Sequence, residues 1–164
     1  MPKPELDDFD HRIIAALQGE ARLTNVELAE RVGLSPSPCL RRVKRLERDG
    51  YIEGYGARLG RGRVGLGLTV FLEIKIEAHA NDRAEAFQDA VLALPEVVAC
   101  HMVSGDFDYL LEVVVPDMAA YQRVLVGKLL SLPIVKEVRS NIALQTLKAA
   151  GPLPLDHLGA VPAA

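Results

Sequence analysis

Two periodicities divide this chain. Through residue 50 the apolar positions recur at helical spacing; from residue 68 they alternate. Phe9, Ile13, Ile14 and Leu17 lie on one helical face behind a candidate cap, Asp7, and Gly19 ends the run. Thr24-Asn-Val-Glu27 spells a capping box, in which hydroxyl and carboxylate each satisfy a free backbone N–H. The helix it opens turns Leu28, Ala29 and Val32 inward, and Gly33 terminates it. A third helix follows at once. Ser35 or Ser37 caps it, with Pro36 or Pro38 in the first turn, and the pattern leaves both starts open.

On a wheel of the third helix, Cys39, Leu40, Val43 and Leu46 share one side. Ser37, Arg41, Lys44, Arg45 and Arg48 share the other, with Arg42 at its edge. Helix, short turn and basic-faced helix together match the demands of the DNA major groove. Arg can donate two bonds to guanine, and Lys neutralises phosphate. The candidate DNA-contacting set is Ser35, Ser37, Pro38, Arg41, Arg42, Lys44, Arg45 and Arg48. Tyr51–Tyr55 reads as a short strand and turn, the start of a wing or tether.

Residues 58–67 are rich in Gly and Arg and mark a boundary. They contain Gly60-x-Gly62-x-x-Gly65, the spelling of a dinucleotide fingerprint. A strand pattern follows where a phosphate-binding helix would be required, so the spelling is a decoy. Arg58, Arg61 and Arg63 are expected to be solvated linker arginines.

Leu68, Val70, Leu72, Ile74 and Ile76 alternate with Thr69, Phe71, Glu73, Lys75 and Glu77. This predicts a strand with one buried face. Asn81 can cap a helix through Phe87, Val91 and Leu94. Strands follow at Val97–Val103 and Tyr109–Val115 around the turn Ser104-Gly105-Asp106-Phe107-Asp108. Asp117 caps a helix through Tyr121, Val124, Leu125 and Leu129, and a last strand runs from Val135 to about Leu147. The order βαββαβ predicts an α+β, ferredoxin-like sandwich with helices on one sheet face. A second copy is the simplest cover for the other face. The predicted division is a helix-turn-helix DNA-binding domain over 1–57, a linker over 58–67, an effector-binding and oligomerisation domain over 68–150, and a loose tail over 151–164.

The net charge of −3 hides an asymmetry: residues 1–63 carry 12 Lys+Arg and 10 Asp+Glu, the remainder 7 and 12. The halves therefore carry +2 and −5, consistent with two domains of different electrostatic role. The N-terminus has no apolar signal core, and no run approaches the ~18 apolar residues of a membrane span. A cytoplasmic, membrane-free protein is expected, with Cys39 and Cys100 reduced and buried. No catalytic constellation, metal site or cofactor is expected. His101 follows Cys100 directly, so on a strand they face opposite ways, and His11, His79 and His157 lack partners at ligand spacing.

Leu34-Ser-Pro-Ser-Pro-Cys-Leu40, Val43-Lys-Arg-Leu-Glu-Arg-Asp-Gly50 and Cys100-His-Met-Val-Ser-Gly-Asp-Phe-Asp-Tyr-Leu110 resemble the Lrp/AsnC (feast/famine) regulators, most of all the leucine-responsive branch. The resemblance runs from about Leu6 to about Leu147. It implies a winged helix-turn-helix joined to an effector domain, and homodimers often gathered into octamers on double-stranded DNA. It also implies amino-acid effectors bound where adjacent dimers meet. By position, the implied effector residues are Met102, Ser104, Gly105, Asp106, Asp108 and Tyr109 on the loop, with Asn141, Ile142 and Ala143 on the facing strand. Asn141 and Ala143 depart from the aromatic and β-branched residues usual in that branch, which leaves the effector open. The loop chemistry suits an amino acid: a carboxylate for its ammonium, and N–H groups beside Gly105 for its carboxylate.

Two other classes share parts of this pattern: an architectural DNA-compacting protein without effector response, and an enzyme or enzyme subunit with a regulatory ferredoxin-like half. The basic third helix discriminates against the enzyme, which would not need it.

Overall fold

The computed structural model describes residues 6–77 and 81–158; the expectations on His79 and on the Asn81 side chain lie outside the described residues. The chain divides into two compact units, residues 1–58 with 148–164, and residues 59–147.

The first unit holds three helices, α1 (Asp8–Gly19), α2 (Asn25–Val32) and α3 (Pro36–Arg48). Asp7 caps α1 by accepting from the Asp10 N–H at 3.0 Å, and Asp10 returns the bond by accepting from the Asp7 N–H at 3.1 Å. The Thr24–Glu27 box forms as read: Glu27 accepts from both the Thr24 N–H and its hydroxyl at 2.7 Å. Gly33 closes α2 at φ 75°, left-handed backbone that other residues adopt only at a cost. Helix α3 starts at Pro36, with Ser35 at the cap position. Ile13, Leu28, Ala29, Val32, Cys39 and Leu46 form the core.

Three expectations change in this unit. Leu40, placed inward by the wheel, is 42% exposed; the stripe Cys39, Val43, Leu46 already fills the space beneath α3. Residues 51–55 form no strand; the Tyr51 and Ile52 N–H groups instead fold back on α3 and donate to the Leu46 carbonyl at 2.9 and 3.2 Å. Residues 151–158 are tied down where a loose tail was expected. The Leu153 N–H donates to the Gln18 side chain at 2.7 Å, and the Gln18 amide donates back to the Leu153 carbonyl at 3.3 Å.

The second unit is an antiparallel sheet in the order β2 (Val97–Met102), β3 (Tyr109–Val115), β1 (Leu68–Ile76), β4 (Val135–Ile142). Helices α4 (Asn81–Leu92) and α5 (Met118–Val124) connect the strands. Val70, Leu72 and Ile74 on β1 stand beside Val113, Leu111 and Tyr109 on β3. They form one buried face with Phe87, Val91, Tyr121, Val124 and Leu129. Asp117 caps α5 by accepting from the Ala120 N–H at 2.7 Å. Beyond Val124 the helix widens into a π turn, Leu125–Leu129, closed by the bond from Leu130 N–H to the Leu125 carbonyl at 2.8 Å. The wider turn returns Leu129, five residues after Val124, to the core side.

Strand β4 stops at Ile142, short of the expected Leu147. Leu144 and Leu147 are 98% and 88% exposed, with no sheet beneath them to reward alternation. The Gly-Arg stretch forms a short 3-10 turn, Arg61–Val64, and runs into β1, so the dinucleotide spelling lacks its helix. Arg61 is exposed, as expected, but it is also paired. It donates to Glu112 at 2.6 Å and to the Thr69 hydroxyl at 3.1 Å, on the sheet face away from the helices. Arg58 donates to the Ala150 carbonyl at 2.5 Å. Among the described residues no helix is long and apolar enough to cross a membrane, and no group of His, Cys, Asp or Glu is gathered for a metal.

Candidate nucleic-acid interface and ligand cup

Helix α3 is anchored at both ends. At its start, the Asn25 side-chain amide donates to the Pro36 carbonyl at 2.8 Å. At its end, the Tyr55 hydroxyl donates to Glu47 at 2.9 Å; burial first, and then that carboxylate, push the phenol up to about 12. A shallow cleft of about 360 Å³ runs along the outer side, lined by Ser37, Leu40, Arg41, Lys44, Arg45 and Arg48. Ser35, Ser37, Arg41, Lys44 and Arg48 are exposed, and Pro38 is half-buried. The Ser35 side chain makes no capping bond. Arg48 pairs with its neighbour Asp49 at 2.9 Å.

The other two arginines turn toward α1. Arg42 meets Asp7 at 2.7 Å and Asp10 at 2.9 Å. Arg45 also pairs with Asp10, whose side chain is only 1% exposed. Burial raises the Asp7 carboxyl, but the Asp10 N–H and the Arg42 guanidinium outweigh it, so the net shift is downward. Sequence reasoning missed this arrangement. The signal available was matched spacing: two acids three apart at the cap and first turn of α1 and two arginines three apart on α3.

In the second unit, the loop between β2 and β3 closes over the end of β1. The Val103 N–H donates to the Asp108 carbonyl at 2.9 Å, and the Asp108 N–H donates to the Ile74 carbonyl at 3.0 Å. Gly105 takes φ 127°, which a side chain would strain. A cup of about 330 Å³ lies under the loop, lined by Glu73, Val103, Ser104, Asp106, Phe107, Leu110 and Arg139. Glu73 stands level with Leu110 on one side and Arg139 on the other. The Arg139–Glu73 distance is 3.6 Å, and the guanidinium lies 4.7 Å from the centre of the Phe107 ring. The cup therefore offers carboxylates and a guanidinium over an aromatic floor.

Of the loop residues read from the sequence, Ser104 and Asp106 line this cup, and Gly105 does not. Asp108 is committed to the backbone, accepting from the Ile76 N–H at 2.8 Å. Tyr109 points into the core against Phe87, its hydroxyl accepting from the Gln88 amide at 2.8 Å. Met102 stands exposed in register with Tyr109, on the helix-side face of the sheet. On β4, Asn141 shares the open face with Arg139, about 7 Å further along the strand. Ile142 turns to the opposite face, and the Ala143 N–H donates to the Thr69 carbonyl at 3.0 Å. One chain does not bring these three residues to the loop. Glu73, Leu110 and Arg139 are not legible as site residues in the sequence because only strand register joins them, whereas Phe107 lies within the turn already read there.

A helix-turn-helix with a basic outer face, joined to a sheet domain with a polar cup, defines a DNA-binding regulator with a ligand domain. Residues 6–53 match the winged helix-turn-helix DNA-binding model, and residues 69–153 match the Lrp/AsnC ligand binding domain. The chain belongs to the Lrp/AsnC family. It is 47% identical to the leucine-responsive regulatory protein of Klebsiella pneumoniae over 152 residues, 93% of each chain. Its fold matches a transcriptional regulator of Neisseria meningitidis solved as a complex with L-Met, with a TM-score of 0.90 and 44% identity over 93% of this chain and 99% of that one. An AsnC family regulator from Agrobacterium tumefaciens superposes with a TM-score of 0.88 at 38% identity, over 93% and 99% of the two chains.

Proposed function

We propose that this chain is a sequence-specific DNA-binding transcription regulator, not an enzyme, whose DNA binding or assembly responds to an amino-acid effector. The observation that carries the reading is the outer face of α3. Ser37, Arg41 and Lys44 surround exposed Leu40, so one surface offers hydroxyl, guanidinium, ammonium and an apolar contact for a thymine methyl. Leu40 costs water contact on this face unless something covers it. Arg41→Ala is expected to weaken binding to the preferred duplex by about 1–3 kcal/mol, and Lys44→Ala to weaken all duplexes more evenly. Unchanged affinity in both variants would remove α3 from the groove.

The cup supports the effector half of the reading. Arg139 suits an α-carboxylate, and Glu73 or Asp106 suits an ammonium, with Phe107 beneath the side chain. The Neisseria relative was solved with L-Met, which favours a small or apolar amino acid here. Asn141 and Ala143 are carried to the site by a neighbouring copy, because strand geometry keeps them from the loop of their own chain. The open sheet face, with Phe71 38% exposed, supports a dimer gathered into larger assemblies, and a two-fold dimer calls for inverted half-sites. The direct test is a thermal-shift screen against the twenty amino acids, with size measured alongside. An effector raises the melting temperature by mass action. Silence across all twenty would leave an architectural DNA-binding role.

A further inference from the structure

The five cations of α3 do not all face the same way. Asp10 is fully buried, yet its carboxylate meets Arg42 at 2.9 Å, Arg45, and the Asp7 N–H at 3.1 Å. Asp7 adds a second contact to Arg42 at 2.7 Å. Residues three apart share one side of a helix, so the acids of the first turn of α1 clasp two successive arginines of α3. A partly buried pair of this kind is screened less by salt than an exposed one. A guanidinium already neutralised by a buried carboxylate has little charge left for phosphate. Arg41 and Lys44, by contrast, make no ion pair among the described residues, and both line the outer cleft.

We propose that Asp10 is a positioning residue for DNA reading: it holds Arg42 and Arg45 against α1, which sets the rotation of α3 about its own axis and withdraws two of its five cations from the DNA. The inference rests on α3 being the groove helix. Its consequence is selectivity. Phosphate attraction is independent of sequence, so each withdrawn cation lowers affinity for all DNA alike. A fixed rotation keeps Ser37 and Arg41 aimed at base edges. Arg45 lies along the outer cleft, yet its guanidinium is paired with Asp10.

The test uses the full chain and two probes: a duplex selected from a random pool by the wild-type protein, and an unrelated duplex of equal length. Affinity is measured across a salt series for wild type, Lys44→Ala, Arg41→Ala, Arg45→Ala and Asp10→Asn. Lys44→Ala should flatten the slope of log affinity against log salt by about one per subunit. Arg45→Ala should leave that slope as in wild type. Asp10→Asn should steepen it by about one to two per subunit and cut the preference for the selected duplex by about tenfold. A purely structural Asp10 would move neither slope nor preference in a folded variant, and that result overturns the proposal. So does a slope flattened by Arg45→Ala as much as by Lys44→Ala. Should Asp10→Asn fail to fold, judged by its helical circular dichroism, the Arg45→Ala slope decides alone. If Lys44→Ala and Arg41→Ala both leave binding unchanged, the groove assignment of α3 falls and takes this inference with it. If only Arg45→Ala departs from expectation, the groove assignment stands and Asp10 loses its role.

Discussion

The Asp108 carboxylate accepts a hydrogen bond from the Ile76 N–H at 2.8 Å, thirty-two positions earlier in the chain. It satisfies a donor where β1 leaves its ladder with β4, at the register shift between Lys75 and Ile76. The residue that looks most like a ligand contact in the sequence thus holds the floor of the loop. Asp108→Ala is expected to destabilise the sheet unit by about 1 kcal/mol, since the part-buried Ile76 N–H loses its acceptor. Effector response should fall with it, through a loosened loop. Asp108→Asn keeps an acceptor and should recover most of the melting temperature. Equal melting temperatures for wild type and Asp108→Ala would refute this role.

Arg139 and Glu73 should behave differently. Both are partly exposed, and their 3.6 Å pair contributes little by itself. Arg139→Ala is expected to leave the unliganded melting temperature nearly unchanged while weakening amino-acid binding by about 10–100-fold, the worth of a charge-assisted bond. Titration calorimetry with the amino acid that gives the largest thermal shift checks this. Full affinity in the variant would move the site elsewhere.

Assembly is tested on the open face. Phe71 and Leu110 stand apolar there, beside the charged pairs of β1 and β4. Phe71→Asp should yield a smaller species in light scattering, because a buried carboxylate at a sheet–sheet contact has no partner. A variant of wild-type size would place the contact on another surface.

Arg61 offers a negative control for DNA. It pairs with Glu112 and Thr69 within the sheet unit, so Arg61→Ala should leave the salt slope of DNA binding untouched and shift stability by at most about 1 kcal/mol. A flattened slope would mean that Arg61 leaves the sheet for phosphate.

Acid stability follows from the capping box. The Thr24 N–H and hydroxyl hold the Glu27 carboxyl below its ordinary value. A carboxyl depressed on folding contributes stability that is complete above its unfolded value, about pH 4, and is lost as pH falls through the folded value. Glu27→Gln should therefore lower the melting temperature at pH 7 and make no difference near pH 2. A deficit of equal size at both pH values would show that packing, not charge, is responsible.

The sequence by itself determined the elements and their buried faces. Alternation from Leu68 to Ile76 needs no tertiary information, because a strand shows one face to the core and the other away from it. The caps at Asp7, Thr24 and Asp117 are equally local, each reaching a backbone N–H within three residues. The family motifs, too, are continuous runs. What only the tertiary structure decided involves residues far apart in the chain. Register across three strands joins Glu73, Leu110 and Arg139 into one cup, and no spacing in the sequence encodes that register. The wheel of α3 gives angles but not the neighbour. It cannot say that Asp10 waits beneath Arg42 and Arg45, or that Cys39, Val43 and Leu46 leave no room for Leu40. Long flexible side chains go where a partner is, and the partner's position is a property of the packed fold.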